Sequence, residues 1–399
     1  VLSAVNDAED LALLQEMIRT RTYSGGGEEG RLAQILVERM RELGLEARLQ
    51  EVEPGRFNAL GVMRGTGGGR SLMLNGHMDT NPVGVGWTVD PLAGLVRDEC
   101  IYGIGVSNMK ASCAAFFGAA RAFVRSGVKP HGDLHLAFVV GELQGGIGTL
   151  QLLEEGLRTD AFVVGEPTDL VILTLHAGSL NLQINTVGVT RHLSKMEESV
   201  SAIGTMIRVI ERLKSMTFST SGDQNNPEYA SVRRVNVGSM RAGLGRDYID
   251  WRPPQVPDFA TIKVAVRFGP GQSVETVVAA IERELKALAQ EDPRVKTEIE
   301  VPEALHPPRA FEVARNAPIV TAVASSYRRV MGSEPSLGAI APYRYYGSDA
   351  SHLQHVGGMT GVVCGAGGKY NTMPDERVET SQFHAATRIY ALTALDVCS

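Results

Sequence analysis

Two residues able to do chemistry stand where an apolar run gives out. Leu72-Met73-Leu74-Asn75-Gly76 delivers His77 and, two positions on, Asp79. In α/β proteins, ligands and catalytic groups gather just beyond the carboxyl ends of buried strands. An imidazole and a carboxylate placed there suit a metal site, the carboxylate orienting the ring through its second nitrogen. The same pair is also an ordinary structural contact, so its meaning depends on what accompanies it. Two further apolar runs also end in acids. Residues 134–140 lead to Gly141-Glu142-Leu143-Gln144-Gly145-Gly146, and residues 161–164 lead to Gly165-Glu166-Pro167-Thr168.

These ends need a scaffold, and the sequence supplies one. Amphipathic spacing predicts two opening helices, the first with Ala8, Leu11, Leu14 and Ile18 on one face, the second with Leu32, Ile35, Leu36, Met40 and Leu43. Strands are expected at 49–52 and 59–63, and the apolar run from Leu72 that delivers His77 is expected to be a third. The glycine loop 65–69 between them is no phosphate cradle, because it leads into a strand and no Lys-Ser/Thr follows. A helix rich in small residues covers 111–126 and a short one 149–155. Residues 87–91 read as an irregular surface stretch. Strands alternating with helices predict a mostly parallel sheet covered on both faces.

The texture changes after residue 178. Leu182, Ile184 and Thr186 alternate with polar residues, and a helix at 202–216 carries Ile203, Met206, Ile207, Ile210 and Leu213 on one face. Strands at 235–240 and 261–268, a helix at 274–289 and a strand at 297–301 complete a β-α-β-β-α-β order, the ferredoxin-like pattern. The expected organisation is therefore an α/β domain of residues 1–178 and 303–399, interrupted by an inserted α+β unit at 179–302 of the kind that makes a lid.

Bulk properties narrow the function. The chain has 399 residues, more than one comfortable core. A formal net charge of -6 gives no basic footprint for nucleic acid. No apolar stretch approaches the roughly 20 residues of a membrane span, and the opening residues have neither the basic nor the apolar region of a secretory signal. Cys100, Cys113, Cys364 and Cys398 lie far apart without metal spacing, as free thiols of a cytoplasmic protein would.

The order of motifs resembles the zinc-dependent aminoacylase and exopeptidase family, which includes acetylornithine deacetylase, succinyl-diaminopimelate desuccinylase and glutamate carboxypeptidase. Gly-His-Met-Asp-Thr at 76–80, Tyr-Gly-Ile-Gly-Val-Ser-Asn-Met-Lys at 102–110 and Gly-Glu-Leu-Gln-Gly-Gly at 141–146 carry the likeness. Gly-Glu-Pro-Thr at 165–168 and Met-Pro-Asp-Glu at 373–376 extend it over nearly the whole chain. The resemblance implies a zinc-exopeptidase-like catalytic domain with a lid that also serves dimerisation. It implies two zinc ions sharing an aspartate and a bridging water. His77 and Glu166 match ligands of one ion, Asp79 the carboxylate that orients the histidine, and Glu142 the base that takes a proton from the water. Arg267 matches an arginine that grips the substrate's carboxylate. His192 matches a lid histidine that reaches a partner's site to stabilise the oxyanion. Together they imply a homodimer and a small amino-acid-derived substrate.

Other positions depart from the pattern. Asn108 stands where the bridging aspartate belongs, Leu143 where the second ion's glutamate belongs, and Thr372, beside Asn371, where its histidine belongs. The lid asparagine expected before a Val-Pro is replaced by Trp251-Arg252-Pro253-Pro254. A cation needs about four good ligands, so the second ion is expected to be absent, and at most one weakly bound zinc remains at His77 and Glu166. Asn108, Asn371 and Thr372 then become candidate substrate contacts. Without zinc, water keeps a pKa near 15.7 and the amide goes unpolarised, while Asp79, Glu142 and Glu166 converge and push at least one carboxyl toward its acid form. The favoured expectation is a cofactor-free enzyme in which Glu142, with Asp79 and His192, performs acyl transfer, cyclisation or isomerisation. The alternatives are a single-metal amidohydrolase and a non-catalytic binding protein. Of the remaining histidines, His131, His135, His306, His352, His355 and His384 match no ligand position and read as packing or surface residues. His176 ends a strand where it could border the pocket, and Tyr343 to Tyr346 could line the cleft. Ser348 and Asp349 match a family stretch near the site.

Overall fold

The computed structural model describes residues 1–218, 220–224, 226–249, 253–302 and 307–399; His306, Trp251 and Arg252 lie outside the described residues. The chain divides into two compact units. One comprises Val1–Leu175, Phe311–Arg344 and Ser348–Ser399, and the other His176–Ala310 with Tyr345–Gly347.

The first unit is built on an eight-stranded sheet. In spatial order its strands are Glu46–Glu53, Arg56–Met63, Leu134–Val139, Leu72–His77, Ala161–Val164, Thr360–Val363, Ile172–Leu173 and Leu337–Gly338. The four central strands, from Leu134–Val139 to Thr360–Val363, run parallel, which accounts for their unbroken apolar sequences. Helices cover both faces. Gly76 backs onto the helix Ala111–Ser126, where an added Cβ would lie 2.7 Å from the Cys113 sulfur. Asn75 points the opposite way and donates to Thr149 on the helix Ile147–Glu154 at 3.3 Å. The small residues of Ala111–Ser126 thus let that helix press on the strand that carries His77. Among the described residues no helix is long and apolar enough to cross a membrane.

One local expectation in this unit needs correction. In the helix Asp7–Arg19 the buried face is Asp10, Leu13, Leu14, Met17 and Ile18, while Ala8 is exposed. Apolar spacing alone missed this because Asp10 is taken inside by an ion pair with Arg121. Residues 87–91 carry no regular element, as the sequence predicts, and strands begin just beyond them. Leu95–Arg97 and Cys100–Tyr102 join Arg377–Glu379 in a three-stranded sheet, which fixes the segment around Glu376.

The second unit is a four-stranded antiparallel sheet in the order Arg234–Gly243, Phe259–Phe268, Gly178–Val187, Lys296–Glu300, with the helices Ala202–Ser215 and Val274–Glu291. Leu182, Ile184, Ile262 and Val264 pack against Met206, Val209, Ile281 and Leu285. Ser273 caps the second helix reciprocally with Thr276. The helix Ala202–Ser215 buries Ala202, Met206, Val209 and Leu213, so the expected stripe is rotated and leaves Ile203 and Ile207 in solvent. Arg267 is half-buried and, with Lys263 and Ala265, alternates with buried Ile262, Val264 and Val266.

Candidate active site

Three parallel strands deliver the acids and the imidazole together. His77 closes its strand fully buried, and Nδ1–H donates to the Asp79 carbonyl at 2.9 Å, with the Asp79 carboxylate 3.5 Å away. Asp79 is spent on positioning. Its carboxylate accepts from the Ser24 hydroxyl at 2.8 Å and from the backbone N–H groups of Glu142 and Leu143, each at 3.2 Å. Asp79 therefore holds the histidine through its backbone carbonyl and pins the loop that carries Glu142 through its carboxylate. That loop is a single tight turn, Glu142–Gln144, followed by Gly146 at a φ of 78°. A Cβ on Gly146 would also lie 2.5 Å from the His352 ring and 2.7 Å from Asp349, so glycine is required twice over. His352 holds the same loop through Nε2–H to the Gly145 carbonyl at 3.0 Å.

His77, Glu142 and Glu166 present ligand atoms that all lie within 4.8 Å of one another. Asp349 joins them, accepting from Thr149 at 2.8 Å through one oxygen while the other has no hydrogen-bond partner. One Glu166 oxygen is likewise buried without a hydrogen bond. Crowding acids in an apolar setting favours their neutral forms. Burial, then the charge of Glu166, holds Glu142 well above the usual carboxyl range. Burial outweighs the opposing charge of His77 and raises Glu166 to about 7. Burial raises Asp349 to about 6. For His77, burial acts downward, but Asp79, Glu166 and Glu142 outweigh it and favour the imidazolium. In keeping with that, the Asn108 side-chain oxygen lies 3.0 Å from His77 Nε2, which donates to it.

On the other side of Asn108 the chemistry is different. Asn108, Leu143 and Thr372 border one cavity of about 150 Å³, whose walls are mainly Pro82, Trp87, Ile104, Met373 and Pro374. Asn371 is not among the lining residues; its side-chain oxygen accepts from Thr372 at 2.7 Å. The loop holding Asn108 is braced from below by buried Glu376, which accepts from the N–H groups of Gly105, Ser107 and Asn108 at 3.2, 2.8 and 3.0 Å. Lys110, also fully buried, donates to the Thr20 carbonyl at 3.0 Å, and burial lowers its pKa to about 7 against the pull of Glu376.

With this geometry in view, comparison with known proteins identifies the fold's lineage. The family description "Peptidase family M20/M25/M40" matches residues 73–396. The chain belongs to this family. It is 26% identical over 384 residues to the succinyl-diaminopimelate desuccinylase of Paracoccus denitrificans, covering 91% of this chain and 92% of that one. It is 27% identical over 382 residues to the acetylornithine deacetylase of Edwardsiella ictaluri, covering 93% of each. Among solved structures, a tripeptidase from Staphylococcus aureus superposes with a TM-score of 0.80 at 21% identity, covering 99% of this chain and 100% of that one. The M20 relatives named here are enzymes, and the mostly parallel α/β architecture is that of the family.

A pair of cations does not fit the residues present. An amide, an isobutyl group and a hydroxyl stand at Asn108, Leu143 and Thr372, and among the described residues only the His77–Glu142–Glu166 group offers three donors. A single ion has its donors there, one imidazole and two carboxylates; the Glu166 oxygen that accepts no hydrogen bond lies 3.9 Å from His77 Nε2. His77 Nε2 would give up its bond to Asn108 to join it.

The first unit thus brings together His77, Asp79, Asn108, Glu142 and Glu166, and sets Thr372 across the cavity. His192 and Arg267 belong to the second unit. His192 is exposed and accepts from the Ser194 N–H at 3.2 Å, capping a short helical turn. His176 is fully buried, its Nδ1–H donating to the Ala177 carbonyl at 2.9 Å. Tyr343 is buried against Asp169, whose carboxylate accepts its hydroxyl proton. Sequence reasoning missed Ser24, Glu376 as a brace and His352 as a loop anchor. Ser24 follows a run of Arg-Thr-Arg-Thr-Tyr with no distinguishing pattern. Glu376 closes the Met-Pro-Asp-Glu motif, and nothing in that run marks it as a brace for a loop so distant along the chain.

Proposed function

We propose that this M20-family chain is an enzyme acting on a small amino-acid-derived amide or acyl substrate, with Glu142 as its acid/base and no pair of zinc ions. The observation that carries this reading is the composition of the one three-donor group. Glu142 is itself a member, so a cation seated there would occupy the group needed to move protons. Left free, the protonated Glu142 carboxyl can donate to an oxygen or nitrogen of the substrate and take a proton back later in the cycle. Glu166, near 7, stands beside it as an exchange partner. Water is a poor nucleophile without a metal, so acyl transfer, cyclisation or isomerisation suits the site better than hydrolysis of an ordinary amide. Glu142→Gln keeps the carboxyl's shape and removes its proton chemistry. It should bind substrate while turnover falls by about 10²–10⁴; undiminished turnover in a well-folded variant would sink the reading.

A second reading rests on the buried Glu166 oxygen that accepts no hydrogen bond and on its two neighbouring donors: one cation held by His77, Glu142 and Glu166, polarising a carbonyl. Metal content and activity after chelation separate it from the first.

We also propose a homodimer formed through the second unit. Ile203 and Ile207 lie one turn apart on an exposed helical face, and Leu193 and Met196 beside His192 are 56% and 60% exposed. Such apolar groups commonly mark interfaces. Sedimentation of the full chain should give two copies per particle, reduced to one by Ile203→Glu; a monomeric parent protein overturns the proposal.

A further inference from the structure

The cavity beyond Asn108 is bordered by all three residues that fail as ligands for a second cation. Leu143 follows Glu142 directly and its N–H is tied to Asp79, so the cavity opens beside the acid group. Asn108 connects the two, its side-chain oxygen on His77. Among the described lining residues there is no lysine or arginine, and the one carboxylate, Glu376, is saturated by three backbone N–H groups. An anionic group entering this space would meet no lysine or arginine, and a cationic one only a carboxylate already engaged by three N–H groups. An apolar group would meet Trp87, Ile104, Leu143 and Met373.

A second observation points the same way. The rim is apolar and wet: Val85 is 94% exposed, Met373 45% and Leu143 37%. Large apolar side chains clustered in water around a concavity mark a surface that a ligand covers. The volume sets the ligand's size, since an apolar cavity of roughly 150 Å³ accommodates a benzene ring.

We propose that this cavity is a specificity pocket that takes a compact apolar group of the substrate, a single aromatic ring or a branched chain of similar bulk, in the space a second cation would otherwise claim. The proposal deepens the functional reading above and rests on it for the identity of the reacting centre. Binding alone tests it, so its fate is separable from that of Glu142.

The probes are benzamide, isovaleramide and acetamide, titrated into the full-length wild-type protein by calorimetry or ligand-observed NMR. Benzamide and isovaleramide should bind about tenfold tighter than acetamide, the return expected for burying a group of that size. Met373→Trp, which fills the mouth, and Val85→Glu, which charges the rim, alter exposed residues, and melting temperatures near the parent's confirm their folds. Each should abolish most of that preference while leaving acetamide binding unchanged. Equal affinities for the three amides, or a benzamide affinity that ignores both substitutions, would overturn the pocket even if Glu142→Gln proves inactive.

Discussion

The two sides of the site, separated by Asn108, have gone different ways. On one side His77, Asp79, Glu142 and Glu166 are packed together, braced by Ser24, Thr149 and His352, in a setting that favours neutral acids. On the other, Asn108, Leu143 and Thr372 form a neutral wall open to solvent. The support beneath that wall persists: Glu376 still grips three N–H groups of the Asn108 loop. On that side the backbone is held by the protein itself, and the side chains at Asn108, Leu143 and Thr372 carry no charge. A loop held by a buried carboxylate needs no cation to keep its shape, since leaving three buried N–H groups unpaired would cost about 1–3 kcal/mol each. The lesson is that a loop beside a cluster of acids can be held in shape by a buried carboxylate on its far side, whatever the cavity in front of it contains.

If the scaffold is intact, restoring the donors should restore the ion. The triple variant Asn108→Asp, Leu143→Glu, Thr372→His is expected to gain a tightly bound zinc, with a rise in stability of about 3 kcal/mol at a hundredfold excess over Kd. Thermal melts with and without zinc read this directly. An unchanged melting temperature would mean that the neutral side has also lost its geometry, and the contrast between the two sides would fail.

The charged side makes a smaller but signed prediction. Glu166 rises from 4.5 to about 7 and Asp349 from 3.8 to about 6 on folding. Between those values the folded chain holds more protons than the unfolded one, so acidification from pH 7 toward 5 should stabilise the protein. The raised imidazole of His77 acts in the same direction. Below about pH 4 the trend reverses, because Asp79, held under its ordinary 3.8 by His77 and Ser24 despite its burial, must then be protonated. The melting temperature should peak in mildly acidic solution; a steady decline from pH 7 to 5 would show that the acids are not crowded as described.

Much of this was legible along the chain because it is local. Apolar runs of strand length ended where the strands end, at His77, before Glu142 and before Glu166, and the order of elements after residue 178 gave the antiparallel unit. Departures at Asn108, Leu143 and Thr372 could be read from residue type alone. What escaped is what depends on distant partners. Ser24 reaches Asp79 across 55 positions and Glu376 reaches Asn108 across 268. No periodicity marks such pairs. The exposed Ile203 and Ile207 were misread for a related reason: several apolar stripes fit the same helix, and only the sheet beneath selects one.

The central claim is that turnover requires Glu142 and not a pair of cations. Its most direct test is the activity of exhaustively chelated protein, with metal content measured on the same sample. The account predicts full turnover at well under one metal ion per chain; activity lost on chelation and regained as two zinc ions bind would contradict it.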